Sequence, residues 1–137
     1  VSWIDDSKAT NPHAASASLE SFDSIVWIVG GLLKGVDIAP LVEKHASRLK
    51  AAIVIGLDRE PVLRALEIHA NTVPVIEIGS GDAVMERAVM AAAGVASAGD
   101  TVLLAPSSAS MDQFKDYADR GHQFVAAVKR IGGDNNG

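Results

Sequence analysis

The sequence predicts a three-layer α/β domain in which helices cover both faces of a mostly parallel sheet of five to six strands. Short runs of β-branched and other apolar residues recur along the chain, and segments with a helical spacing of apolar residues separate them. This alternation, with short connections, is typical of a Rossmann-like sheet with right-handed crossovers. The 137 residues fit one domain, which we assign to residues 1–131, followed by a flexible tail at residues 132–137.

Five segments are predicted to be strands. The first is the opening segment around Trp3 and Ile4, and the others are the apolar runs at residues 24–29, 51–55, 73–78 and 101–104. Parallel strands with helices on both sides are buried on both faces, so we expect this of the last four. Trp3 and Trp27 lie in such runs and are predicted to belong to the core.

Helices are predicted between the strands, where apolar residues recur at spacings of three and four. Asn11 and Pro12 mark the start of the first helix as its N-cap and its first helical residue. Three further helical patterns follow, at Ile38, Leu41, Val42 and Leu49, at Val62, Leu63, Leu66 and Ala70, and at Val84, Met85, Ala88, Val89 and Ala92. Their caps are expected at Asp58 or Glu60, before Pro61, and at Asp82.

The last helix has the longest pattern, which extends from Phe114 to Ile131. Ser110 and Gln113 match the S-x-x-Q capping box and are predicted to start it. A serine at a helix amino terminus can also present its hydroxyl to a carboxylate, so capping and binding are compatible roles for Ser110.

Composition excludes several classes of function. The net charge is −5, with 12 Lys and Arg scattered among 17 Asp and Glu, which argues against a nucleic-acid partner. The absence of cysteine excludes disulfides, thiolate metal sites and cysteine nucleophiles. No apolar run approaches the roughly 18–20 residues of a membrane span, and no signal-peptide pattern precedes the first strand. Because the chain starts without Met inside a strand pattern, we expect it to be a fragment or a processed piece.

The histidines do not suggest a catalytic or metal centre. His13, His45, His69 and His122 lack the spacing of metal ligands, and we expect each at the surface or at a helix edge. No Ser-His-Asp arrangement can be argued from the order of the elements. We therefore predict no metal site in the chain.

Polar side chains concentrate in the loops after the first, second and fifth strands, which share one edge of a parallel sheet and are where ligands bind. The first loop holds Asp6, Ser7, Lys8 and Thr10 just before a helix amino terminus, whose free amides favour anions. The second holds Gly30-Gly31 and Lys34, and the fifth holds three serines. Hydroxyls and two lysines at one edge suit a small carboxylate or a phosphate. Solvated turns explain the same residues, and neither G-x-G-x-x-G nor G-x-x-x-x-G-K-[ST] occurs.

These loops resemble the C-terminal domain of the Mur ligases. The matching motifs are Asp6-Ser7-Lys8-Ala9-Thr10-Asn11, Gly30-Gly31 with Lys34, Pro106, Ser110, Asp112-Gln113-Phe114 and Arg120-Gly121. Their order and spacing agree from about residue 3 to residue 131. The first motif is most similar to the members that add D-glutamate. Asp5, where we expect Asn, and Ala105, where serine is common, depart from the pattern at positions without an assigned ligand.

The resemblance implies an ATP-dependent, amide-bond-forming ligase of cytoplasmic peptidoglycan synthesis. In such an enzyme ATP phosphorylates UDP-N-acetylmuramoyl-L-alanine, and D-glutamate attacks the acyl phosphate. ATP and Mg²⁺ would be bound mainly by a central domain outside this chain. The domain alone is therefore expected to be inactive.

The resemblance also implies roles for individual residues. Thr10, Lys34, Ser110 and Tyr117 would hold the two carboxylates of D-glutamate, and Asp6 and Lys8 would face the nucleotide. Tyr117 takes a place where the family often has a Phe that contributes through its backbone, so its hydroxyl is not required. Two alternatives stay open at this point. They are a non-catalytic α/β module that binds a nucleotide or small anion, and the equivalent domain of a sister ligase that adds another amino acid.

Overall fold

The computed structural model describes residues 1–132 and confirms the predicted fold class. The strands are β1 (Ser2–Asp5), β2 (Ile25–Gly30), β3 (Leu49–Ile55), β4 (Val75–Glu77) and β5 (Thr101–Leu104). The helices are α1 (Pro12–Leu19), α2 (Ala39–His45), α3 (Glu60–His69), α4 (Val84–Val95) and α5 (Tyr117–Arg130), and a 3-10 turn at Ala46–Arg48 follows α2. The tail expected at residues 132–137 lies outside the described residues except for Gly132.

The five strands form one sheet in the order β1-β5-β2-β3-β4, and every neighbouring pair is parallel. The last strand in the sequence therefore lies between the first two. Because parallel strands end at the same edge, this order places the loops after β1, β5 and β2 side by side.

Each face of the sheet carries its own hydrophobic core. Helices α4 and α5 cover one face, where Trp3 packs against Phe124 with ring centroids 6.3 Å apart. Helices α1, α2 and α3 cover the other face, where Trp27 is fully buried and its indole N–H donates to the Ala105 carbonyl at 2.7 Å. Both tryptophans are core residues, as predicted. Within residues 1–132 no helix is long and apolar enough to cross a membrane.

Helix α1 starts where the sequence predicted. The Asn11 side chain accepts a hydrogen bond from the Ala14 amide at 2.9 Å, and Pro12 is the first helical residue. The cap satisfies one of the free amides of the first turn, and the fixed φ of proline suits that position.

Three predictions about burial and helix extent are wrong. Strand β4 is not buried on both faces, because it lies at the edge of the sheet and leaves Val75 40% exposed. Leu49 does not continue the α2 pattern, because the 3-10 turn ends the helical segment and Leu49 begins β3. His45 is fully buried, and its Nε2 lies 2.8 Å from the Ser16 hydroxyl between α2 and α1.

The predicted start of the last helix is also wrong. Helix α5 begins at Tyr117, and Asp116 caps it by accepting from the Asp119 amide at 2.7 Å. Ser110 and Phe114 close only an isolated turn before it, with the Phe114 amide donating to the Ser110 carbonyl at 2.9 Å. The Gln113 side chain does not cap the helix, because it accepts a hydrogen bond from the Gly56 amide instead.

The expected caps of α3 and α4 do not form. The cap positions are Arg59 and Ala83, and neither helix has a hydrogen bond from a capping side chain. Asp58, Glu60 and Asp82 are therefore not helix caps. In α3 the cap position is held by Arg59, whose side chain pairs with Glu77 on β4 at 2.7 Å, and Glu60 is already the first helical residue.

Candidate functional site

Four loops meet at the carboxyl edge of the sheet, and we number each after the strand that it follows. They are loop 1 (residues 6–11), loop 2 (residues 31–38), loop 3 (residues 56–59) and loop 5 (residues 105–116). Loop 5 contacts the other three. Its contacts with loops 1 and 2 run through the backbone, and its contacts with loop 3 run through side chains.

The backbone contacts join loop 5 to both of its neighbours. The Ser107 amide donates to the Ala9 carbonyl of loop 1 at 2.9 Å. On the other side, Leu32 and Ala109 exchange two hydrogen bonds of 2.9 Å in an isolated antiparallel bridge. Backbone hydrogen bonds have little freedom of direction, so these three loops are held in a defined arrangement.

Loop 3 is joined to loop 5 by two consecutive side chains. Asp112 accepts from the Leu57 amide at 3.0 Å, and Gln113 accepts from the Gly56 amide at 2.9 Å. These contacts explain why the Gln113 side chain is not available to a capping box. They also give the Asp112-Gln113 motif a structural role.

Two glycines permit the close approach of these loops. Gly31 has φ +136°, and a Cβ atom there would lie 2.5 Å from the Ala109 carbonyl oxygen. Gly56 has φ +112°, and a Cβ atom there would lie 2.9 Å from the Gly31 nitrogen. Both the φ values and the missing space restrict these positions to glycine.

The loop contacts bring three of the predicted site residues to the same edge. Thr10 directly follows Ala9, Ser110 directly follows Ala109, and Lys34 lies two residues beyond Leu32. Thr10 is half-buried, Lys34 is exposed and Ser110 is buried. Lys34 also has φ +54°, a left-handed conformation that is costly for a residue other than glycine and recurs at functional sites.

Two grooves at this edge separate Lys34 from Tyr117, although both were predicted to bind D-glutamate. Lys34 lines a groove of about 430 Å³ together with Asp58 and Pro61. Tyr117 lines a separate groove of about 250 Å³ together with Lys8, because α5 begins beside loop 1. Thus Lys34 and Tyr117, both assigned to D-glutamate, lie in different grooves, whereas Tyr117 shares its groove with a nucleotide-facing residue.

Arg120 of α5 is fully buried and binds loop 1 through Ser7. Its Nε donates to the Ser7 hydroxyl at 2.9 Å, its Nη2 to the Ser7 carbonyl at 2.7 Å and its Nη1 to the Ser108 carbonyl at 3.0 Å. Burial lowers the pKa of Arg120 to about 10, while the charges of Asp112 and Asp5 act in the opposite direction. The guanidinium therefore remains charged at neutral pH.

Gly121, the residue after Arg120, leaves space for the Asp5 side chain at the end of β1. A Cβ atom at Gly121 would lie 2.8 Å from a carboxylate oxygen of Asp5, which itself accepts from the Ser7 amide at 3.0 Å. The Arg120-Gly121 motif thus contacts the end of β1 and the start of loop 1.

Metal-ligating side chains do not cluster in the described part of the chain. Among residues 1–132, no group of three or more His, Cys, Asp or Glu side chains is placed to hold a metal ion. That Mg²⁺ is bound outside this chain stays a prediction.

Comparison with known proteins places this loop arrangement in a family. A family model described as "Mur ligase, glutamate ligase domain" matches residues 1–108. The chain belongs to this family. The match confirms the predicted resemblance, and it includes the whole of loops 1, 2 and 3.

The curated relatives of this Mur ligase domain carry it as part of longer proteins. A UDP-N-acetylmuramoylalanine--D-glutamate ligase of Leifsonia xyli is 55% identical over 100% of the chain and 27% of the relative. Ligases of the same name from Thermobifida fusca and Mycolicibacterium smegmatis are 50% and 46% identical over 97% and 94% of the chain. The chain spans 29% and 32% of those two relatives. It therefore spans less than a third of each of these three relatives.

Sequence reasoning gave Arg120 and Ser7 no role, although both belong to the motifs on which the resemblance to the Mur ligases rests. A signal for Arg120 was present, because residues 120, 124 and 128 lie on one face of α5 and the other two are apolar. An arginine on a buried helix face needs hydrogen-bond acceptors from other elements. Which elements supply them depends on the sheet order, which no local pattern specifies.

Proposed function

We propose that this Mur ligase domain binds D-glutamate for an ATP-dependent ligase that joins D-glutamate to UDP-N-acetylmuramoyl-L-alanine in cytoplasmic peptidoglycan synthesis. The similarity to UDP-N-acetylmuramoylalanine--D-glutamate ligases supports this proposal. The observation that carries it is the joining of loops 1, 2 and 5, which holds Thr10, Lys34 and Ser110 at one edge of the sheet.

The chemistry of these residues suits a ligand with two carboxylates. Lys34 offers an exposed ammonium group, and it makes no ion pair with any residue in the range 1–132. Thr10 and Ser110 offer hydroxyl groups at the same edge of the sheet. Any hydrogen bond to a carboxylate is charge-assisted, but only Lys34 also carries the opposite charge, so Lys34 would supply the largest share of the binding.

Tyr117 would contribute through its backbone. It is the first residue of α5, where an amide N–H has no intrahelical partner, and none is found for it among residues 1–132. Its carbonyl is already engaged by the Ser7 hydroxyl at 2.6 Å. A free amide at a helix amino terminus is well placed to donate to a carboxylate.

Asp6 and Lys8 would face the nucleotide from loop 1. Lys8 is exposed and lines the same groove as Tyr117, and Asp6, two residues earlier in the chain, is half-buried. A lysine beside the phosphates would offset the negative charge that develops during phosphoryl transfer. ATP and Mg²⁺ would be held mainly by the part of the ligase outside this chain, and the domain alone would not turn over.

Ligand binding can be tested on the 137-residue chain by NMR titration with D-glutamate and with L-glutamate. We expect D-glutamate to shift the amides of Thr10, Lys34 and Ser110, and Lys34→Ala to abolish the response. Lys129→Ala is the matched control, because Lys129 is exposed in the last turn of α5, at the opposite edge. Equal responses to both enantiomers, or none with either, would contradict D-glutamate binding. A selective response to a different amino acid would favour a sister ligase.

The division of roles can be tested in the full-length ligase. We expect Lys34→Ala to raise the KM for D-glutamate at least about tenfold, the equivalent of one charge-assisted hydrogen bond, with little change in the KM for ATP. We expect Lys8→Ala to act on the KM for ATP or on kcat. Small and equal effects of the two substitutions would contradict the assignment.

A further inference from the structure

The guanidinium of Arg120 uses all three of its nitrogen atoms on two loops. Two donate to Ser7 of loop 1, to its hydroxyl and its carbonyl, and the third donates to the Ser108 carbonyl of loop 5. Ser7 and Arg120 are 113 positions apart in the sequence. The side chain is fully buried, so no part of the guanidinium is left for solvent or for direct contact with a ligand.

The bond to the Ser7 carbonyl acts on the next residue. That carbonyl belongs to the peptide group whose nitrogen is that of Lys8, and a peptide group is planar. Arg120 therefore fixes the orientation of the peptide group that joins Ser7 to Lys8. Lys8 itself is exposed, and the structure supplies its side chain with no ion-pair partner among residues 1–132.

The bond to the Ser7 hydroxyl extends the arrangement to α5. The hydroxyl accepts from Arg120 and donates to the Tyr117 carbonyl at 2.6 Å, so it bridges loop 1 and the first residue of the helix. Lys8 and Tyr117 line the same groove. One buried side chain thus sets the positions of two residues that line that groove.

Fold stability alone does not call for an arginine here. A buried charged group pays a desolvation penalty, and an apolar side chain of similar volume is often as stabilising or more so. The two carbonyls and the hydroxyl that Arg120 contacts belong to site loops rather than to the central sheet. The contacts of Arg120 therefore serve to orient loops 1 and 5.

We propose that Arg120, acting through Ser7, is a positioning residue that holds Lys8 in place against the nucleotide. This inference rests on the proposed function, in which Lys8 faces ATP. It predicts that the contribution of Arg120 to turnover passes through Lys8. A residue that only stabilises the fold would affect activity independently of Lys8.

The test is a double-mutant cycle in the full-length ligase with Arg120→Lys and Lys8→Ala, and Ser7→Ala serves as a second, smaller change. We expect Arg120→Lys to lower kcat/KM for ATP about tenfold to a hundredfold, as small misplacements of reacting groups do, and to change the KM for D-glutamate less than about twofold. In the Lys8→Ala background the same substitution should have almost no further effect. Arg130→Lys is the control, because Arg130 is an exposed arginine in the same helix. Effects of Arg120→Lys that are equal in size with and without Lys8 would overturn the proposal.

A second measurement separates this inference from the proposed function. In the 137-residue chain, Arg120→Lys or Ser7→Ala should lower the NMR order parameter of the Lys8 amide and leave that of Lys34 unchanged. An unchanged Lys8 order parameter in both folded variants would overturn the positioning role, whatever the activity. Wild-type ligase that releases no ADP in response to D-glutamate would refute the proposed function instead.

Discussion

Asp100 is the centre of a polar network at the amino edge of the sheet, away from the site loops, and Asp100→Asn should destabilise the protein in a pH-dependent way. Its carboxylate accepts from Lys50 Nζ at 2.5 Å, from the Ser24 hydroxyl at 2.7 Å and from the Ser97 amide at 2.7 Å. These partners precede or begin three different elements, β3, β2 and β5. The network therefore stabilises the amino edge of the sheet rather than its carboxyl edge.

The magnitude follows from the pKa of Asp100. The hydrogen bond from Lys50, followed by those from Ser24 and Ser97, lowers the pKa from 3.8 to about 2. At about 1.4 kcal/mol per pKa unit, the charged form would add at most about 2.4 kcal/mol to the free energy of unfolding. The Lys50 side chain is 36% exposed, so solvent screening reduces this, and we expect a loss of about 1–2 kcal/mol in Asp100→Asn at pH 7.

The pH dependence has a definite sign. Because the folded-state pKa is lower than that of the unfolded chain, about 3.9, the stabilisation is complete above about pH 5. It is lost as the pH falls through 4 towards 2. Urea denaturation followed by circular dichroism at pH 7, 4 and 2.5 should therefore show the difference between wild type and Asp100→Asn shrinking as the pH falls.

The control is Asp82→Asn, because Asp82 is exposed and its carboxylate makes no hydrogen bond or ion pair within residues 1–132. We expect the stability of this variant to stay within about 0.5 kcal/mol of wild type at each pH. A difference between wild type and Asp100→Asn that is as large at pH 2.5 as at pH 7 would refute the electrostatic reasoning. It would show that packing around the amide, not charge, accounts for the loss.

Two further predictions concern buried contacts near the helices. Gly121→Ala should lower the free energy of unfolding by about 1–2 kcal/mol because the new Cβ meets the Asp5 carboxylate. Gly94→Ala, at an open position in α4, should raise it by up to about 1 kcal/mol. Equal shifts of the two urea midpoints would contradict this. Burial lowers the pKa of His45, and the nearby cations Arg48 and Lys44 act in the same direction. Below about pH 6.5 the His45 side chain therefore takes up a proton more readily in the unfolded chain than in the folded one. Wild type should then lose more stability than His45→Gln between pH 7 and pH 5. Equal losses in urea denaturation would contradict this role of His45.

Local patterns in the sequence determined the elements and much of the core. The β-branched runs form the strands, the spacing of apolar residues forms the helices, and Asn11 with Pro12 starts α1. These features depend on contacts within a few residues, which a sequence pattern records directly. The motif after β1 likewise indicated the family without any knowledge of the sheet order.

The tertiary structure decided which loops meet and which side chains leave their local role. Placing β5 between β1 and β2 brings Arg120 to Ser7 and the backbone of loop 5 to Ala9 and Leu32. The same packing takes Gln113 from a capping box to the Gly56 amide and leaves β4 at an exposed edge. For Arg120 and for the Gly56 amide, long-range hydrogen bonds determined the outcome, because buried polar groups need partners and these partners lie far away in sequence. The sequence alone could therefore propose residues for a site, while the fold determined which of them lie at the same edge and how their loops are held.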